Sequence, residues 1–289
     1  MALAITATPS FAIDAHAGFS KRTAILSFAQ QCDLLKNGEL LAVKSGQLQT
    51  RGALLRSGIS LAEIAKMKRI AQQSVTGIDC GNPEALAEID RVRAAHASWL
   101  MIKSQEYPGK YRAWDTHRNE ALLERNWRAK QEIETTETGS ILLGSSALDG
   151  RHSLDIVIEN QPPPRSVLLR MRDPKKLQNP PNTFLRKLLK LPVTGVPGLA
   201  PPDSATNTYF ATQRVMAEAN LLSAEEGTSG VRFGFGEDIL QKFSQLDPRE
   251  AVSIDLYWSN GLGKPDRHKR LYAEVGDFLA ARMFAEAKD

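Results

Sequence analysis

At 289 residues, with 42% hydrophobic and 24% charged side chains, the chain has the composition of one large or two ordinary globular domains, which excludes wholesale disorder. A formal net charge of +4 gives a mild attraction to anions and does not by itself assign an anionic partner. Two cysteines, Cys32 and Cys80, are too few for a disulfide framework or a structural zinc cluster, so a reducing compartment is expected.

Residues 1–18 read as an N-terminal tail. The alanine-rich start has no basic region, and Pro9 and Asp14 interrupt its apolar run, so a cleaved export signal is not expected. The reading is cytoplasmic, or delivered by a specialised secretion system without a cleaved signal peptide. No run approaches the roughly 20 apolar residues that span a bilayer, so no membrane partner is expected.

Residues 19–138 read as a helical domain. Ile25, Phe28, Cys32 and Leu35 form one stripe at spacings of three and four, and Asn37-Gly38 ends it. A second helix is expected over 39–56 and a helix pair over 59–78. Asn82 as cap, Pro83 in the first turn and Glu84 beside it open the next helix, whose stripe runs through Leu86, Ile89, His96 and Leu100. Residues 110–134 read as a further charged helix.

The polar stretch 135–140 is the expected boundary, because the hydrophobic period then changes from about 3.6 to 2. Residues 139–289 read as an α+β domain. Two alternating strands, 153–159 and 167–173, flank a proline-rich connection, and a third covers 252–258. These three are expected in one sheet, with Asp155, Glu159, Arg170, Arg172 and Asp255 on its wetter face. A proline-rich loop follows over 179–203. Helices are expected over 209–223, 237–246 and 267–287, and a short strand over 231–235. The fold class is therefore α+β: a helical N-terminal part and a C-terminal, mostly antiparallel sheet packed against helices.

Residues 61–78 resemble a helix-turn-helix. Ile64, Ala65, Ile70, Val75 and Ile78 stand at its inward positions, although Arg69 occupies the turn position that prefers glycine. The resemblance implies a DNA-contacting face made of Lys66, Arg69, Gln72, Gln73 and Thr76, glutamine being able to pair with adenine in the major groove. Two basic windows agree with it: seven cations between Lys36 and Arg69 against Glu39 and Glu63, and eight between Arg165 and Lys190 against Asp173 alone. A second nucleic-acid pattern is the mixture of Trp99, Tyr107, Tyr111, Trp114 and Trp127 with Lys103, Lys110, Arg112, Arg118, Arg125 and Arg128, since aromatics among cations can hold a single strand. The competing explanation for each pattern is ordinary helix packing with a solvated charged face.

No HxxxH, HExxH or paired Cys/His spacing is present, so no metal or cofactor is expected. The polar sheet face, or Cys80 approached by His96 or His117, would be the place for a hydrolase or transferase. The leading expectation is a non-enzymatic binding protein, with DNA or another protein as partner. A protein-interaction module or secreted effector is the alternative.

Overall fold

The computed structural model describes residues 10–118, 123–137, 139–181, 183–223 and 227–287. The chain divides into two compact units, residues 1–102 with 287–289, and residues 103–286. The class is α+β, with N-terminal helices followed by antiparallel sheets. Among the described residues no helix is long and apolar enough to cross a membrane.

The helical unit contains α1 (Ser10–Cys32), α2 (Asn37–Arg56), α3 (Leu61–Gln73) and α4 (Pro83–Leu100). Helix α1 begins at Ser10, so it takes in much of the expected tail. One apolar cluster joins Ala15 and Phe19 to Leu54, Leu55 and Ile64, and a second joins Phe28, Ala29 and Leu35 to Val43 and Ile89. Both starts that carry a side-chain cap are built locally. Ser60 Oγ accepts from Glu63 N at 3.2 Å while the Glu63 carboxylate accepts from Ser60 N at 2.9 Å, and Asn82 Oδ1 accepts from Ala85 N at 3.0 Å. Cys32 and Cys80 form a disulfide with Cα atoms 5.6 Å apart, which ties the end of α1 to the turn before α4. The expected free thiols are thus absent, and Cys80 holds no thiol for nucleophilic chemistry.

The second unit holds two antiparallel sheets. The first has the order β1-β2-β3-β4-β5-β9-β8. Its strands are β1 (Ser104–Pro108), β2 (Ala113–His117), β3 (Asn126–Thr136), β4 (Gly139–Leu148), β5 (Arg151–Glu159), β8 (Gln213–Met216) and β9 (Gly230–Gly234). The second has the order β11-β10-β6-β7. It is built from β6 (Ser166–Arg172), β7 (Thr206–Phe210), β10 (Ala251–Trp258) and β11 (Arg267–Glu274). Helix α5 (Thr183–Leu188) lies in the proline-rich segment, and α6 (Gly236–Ser244) and α7 (Phe278–Glu286) complete the unit. An aromatic cluster seats the last two helices on the first sheet: the Trp114 ring lies 5.8 Å from Phe243 and 4.6 Å from Phe278, and Tyr107 lies 5.9 Å from Phe284.

Five expectations are corrected. The described residues 110–118 and 123–134 are not a helix but parts of the β1–β2–β3 meander. Trp114 and Thr116 point inward while Asp115 and His117 point out, as do Ala129, Gln131 and Ile133 against Glu132. The inward positions keep the period of two, but they include the small Ala129 and the polar Gln131 among charged neighbours, which blurs that pattern in the sequence. Thr135 and Thr136 pair with Ser140 and Gly139 at the end of the β3–β4 ladder, and the division between units falls at Ile102/Lys103 instead.

Strand β5 lies in one sheet while β6 and β10 lie in the other. The prolines at 162–164 lack the N–H groups that hairpin pairing needs, and the chain crosses between sheets there. The expected helix over 209–223 is the end of β7, strand β8 and a short 3-10 turn at Ala219–Leu221. The expected helix over 267–287 is β11 followed by α7, because Leu271 and Ala273 alternate inward and Gly276, at φ +49, turns the chain.

Candidate functional site

The residues assigned to DNA contact do not form a helix-turn-helix. Helix α3 runs unbroken for 13 residues through Lys68 and Arg69, and its C-cap is Ser74. A turn at Arg69 would need a positive φ that a long side chain resists, whereas lysine and arginine are good helix formers. Lys66, Arg69, Gln72, Gln73 and Thr76 are all exposed, the first four on one helix and Thr76 in the turn beyond it, where its Oγ1 donates to Gln72 O at 3.1 Å. Ala65 and Ile70 are exposed too, Ile70 at 55%, where the motif needs them inward. What remains is the solvated face of a single amphipathic helix that buries Ile64 and Ala71.

The polar residues read as one sheet face are divided between two sheets, and each is held in its own network. Asp155 is fully buried. It accepts from Ser146 Oγ, from Ser153 Oγ at 2.7 Å and from Arg232 Nη1 at 3.0 Å. Glu159 accepts from Ser140 Oγ at 2.5 Å and from Ser223 N at 2.6 Å. Arg172 forks onto Glu250 at 2.7 and 3.0 Å. Burial pushes the Glu250 carboxyl up, and Arg172 partly offsets the shift. Asp255 accepts from Arg170 at 2.6 Å, from Arg270 at 2.7 and 3.0 Å and pairs with His268 Nε2 at 2.8 Å. Burial raises its pKa, but the bonds from Arg270, Arg170 and His268 outweigh that and hold it well below the usual carboxylate range. These groups pin strands together and leave little room for acid–base work on a substrate.

A different cluster does converge on open space. Arg118 N donates to Lys103 O at 2.9 Å, extending the β1–β2 ladder by one step, and Ser104 pairs with His117 just inside it. Lys130 arrives from β3, opposite Asp115. Lys103, His117, Arg118 and Lys130 thereby line a pocket of about 370 Å³ with the indole of Trp127. Ser104, Asn126 and Asn220 complete the lining, so no carboxylate contributes among the described residues.

Acids stand beside the lining residues without joining the lining among the described residues. Glu124 accepts from Asn220 Nδ2 at 2.6 Å, and Asp115 is the register partner of both Lys130 and Glu106. Two of the cationic and aromatic groups are fixed in place. Arg118 Nε donates to Phe284 O at 2.9 Å with its guanidinium 3.9 Å over the Phe284 ring, and Trp127 Nε1 donates to Leu221 O at 3.0 Å. Burial lowers the Arg118 pKa, with Tyr107 acting in the opposite sense, yet an arginine stays charged.

Lys103, Arg118 and Trp127 belong to the aromatic–cation stretch noted in the sequence. Tyr107 and Trp114 from the same stretch are core residues at 0% exposure. His117, next to Arg118 in the chain, was read with Cys80 instead, and Lys130 was missed because only strand register brings it to the others.

A second cavity lies in the helical unit. It has about 790 Å³ and apolar walls from Ile25, Phe28, Val75, Ile78 and Ile89, with the Lys21–Glu88 ion pair at 3.0 Å on its rim. Among the described residues no group of three or more His, Cys, Asp or Glu side chains is placed to hold a metal ion. No protein-family model, no curated protein and no solved structure matches this chain.

Proposed function

We propose that the chain is a non-enzymatic binding protein whose α+β unit takes a small organic anion of the phosphate class at the Lys103–Lys130 pocket. The supporting observation is the convergence of Lys103, Arg118, Lys130 and His117 on one cavity that no described carboxylate lines. Arginine and lysine supply charge-assisted hydrogen bonds to phosphate oxygens, and the Trp127 edge gives an apolar wall for the body of the ligand. The Cys32–Cys80 bond favours work in an oxidising compartment, in place of the reducing one expected from the cysteine count.

Isothermal titration with pyrophosphate and with phenyl phosphate tests the reading. Binding should weaken roughly tenfold, about 1.4 kcal/mol, in Lys130→Glu and in Lys103→Glu. Absence of binding to both probes, or equal affinity in the variants, would refute it. A single-stranded oligonucleotide that binds with a steep salt dependence, lost in Lys103→Glu, would move the reading from a small ligand to nucleic acid.

A further inference from the structure

We propose that the tip of the proline-rich segment, Lys187 to Val193, is a peripheral contact for an anionic lipid surface. Leu188, Leu189 and Val193 are exposed at 67%, 46% and 45%, and Lys187 just before them and Lys190 among them are exposed too. Single exposed leucines are unremarkable on a protein surface, but three large apolar side chains within six residues, interleaved with cations, form a patch. Its charge is one-sided: from Pro174 to Pro202 the chain has five basic residues and no acidic one. Neither Lys187 nor Lys190 forms an ion pair among the described residues.

The fold holds this tip outward. Helix α5 ends at Leu188, and the chain reverses through Lys190 at φ +53, a conformation that a non-glycine residue adopts at a cost. Leu189 N donates to Leu185 O at 3.0 Å and Leu191 N to Arg186 O at 2.9 Å, which closes the turn. Beneath it Arg186 is 3% exposed. Its guanidinium donates to Pro192 O at 2.7 Å, Ala200 O at 2.7 Å and Pro197 O at 3.0 Å, fastening the returning chain to the helix. The tip is therefore a fixed projection whose apolar side chains stay out of the core.

A bilayer interface suits that shape and charge. The leucines can enter the headgroup–acyl boundary while the lysine stems extend their ammonium groups to anionic headgroups. No spanning helix is needed. With three apolar side chains and two cations, the attachment should be weak, reversible and sensitive to salt.

The test is co-sedimentation of the full chain with phosphatidylcholine vesicles, with and without phosphatidylglycerol. The chain should pellet with the anionic vesicles at low salt, roughly tenfold more than with neutral ones, and be released at high salt. The pairs Leu188→Ser with Leu189→Ser, and Lys187→Glu with Lys190→Glu, should each abolish pelleting while circular dichroism and thermal melting stay as in the parent. Failure of the parent to pellet with anionic vesicles overturns the proposal, and so does undiminished pelleting of either variant. Self-association of the parent that is lost in the leucine variant, with no vesicle binding, would instead make the tip an interface between copies.

Discussion

Removing the disulfide offers a direct measure of how the helical unit is held. Cys32 and Cys80 are separated by 48 positions, so the bond closes a loop that includes α2, α3 and the turn before α4. In the chain-entropy treatment, cross-linking a loop of that length removes about 4 kcal/mol of conformational freedom from the unfolded state. Typical domain stabilities are about 5–15 kcal/mol, so this is a large share for a four-helix unit with two modest apolar clusters.

The perturbation is Cys32→Ala with Cys80→Ala, or reduction of the parent. With a urea slope of about 1–2 kcal/mol/M, the midpoint of the helical transition should fall by about 2–4 M. Two signals separate the units. Helical content read by far-UV circular dichroism reports chiefly on the helical unit, whereas Trp114, Trp127 and Trp258 lie in the α+β unit and only Trp99 lies in the other. The dichroism transition should shift and the main fluorescence transition should stay. Equal midpoints with and without the bond, or two titratable thiols in the oxidised protein, would refute the reasoning.

Other expectations follow from buried polar groups in the α+β unit. Glu274→Ala should destabilise it by about 2–4 kcal/mol, because the carboxylate accepts from the backbone N–H groups of Lys110, Tyr111 and Arg112, which would be left without that acceptor; urea unfolding by fluorescence checks it. Arg186→Leu should release three carbonyls at a cost of about 2–3 kcal/mol and open residues 187–200 to limited proteolysis, the chain otherwise remaining folded. Burial holds His152 below the ordinary histidine value despite the opposing pull of Glu286, with Arg282 and Arg128 adding to the decrease. The unfolded chain then binds the proton more readily, so stability is full above about pH 6.5 and falls as the solution is acidified toward the folded value. His152→Gln should flatten the thermal-melting profile between about pH 7 and pH 5.

The legible parts of the fold were those fixed by near neighbours. The α4 start needed only Asn82, Pro83 and the following turn, and β5, β6 and β10 announced themselves by strict alternation. Their division between sheets was not legible, because it depends on distant partners: Ile156 lies opposite Phe233, and Leu169 opposite Ile254. Strand β3 was hidden by a polar and a small residue at inward positions, Gln131 and Ala129, and by charged outward positions that imitate a helical surface. The disulfide joins residues that no spacing rule connects. The pocket was half legible, as its aromatic and two of its cations stood in one noted stretch with His117 between them, while Lys130 joined them only through strand register.

The distribution of acids explains why the sequence pointed to chemistry in the wrong place. Alternating acidic and basic residues on strands looked like a reactive surface, but Asp155, Glu250, Asp255 and Glu274 are all at 0% exposure. Taking a carboxylate out of water costs several kcal/mol unless donors replace the lost hydration, and each of these four has at least three donated or ion-paired contacts around it. A carboxylate so surrounded cannot bind a metal or move a proton without breaking the contacts that hold its strand. Arg170, Arg172, Arg232 and Arg270 are committed to the same networks. The cations left facing solvent or open cavity space in this unit therefore include Lys103 and Lys130 at the pocket and Lys187 and Lys190 at the proline-rich tip. The net charge of +4 is small, but burying acids inward concentrates its effect at those places. Recognition of anions by this chain would thus depend on where the carboxylates are hidden as much as on where the lysines stand.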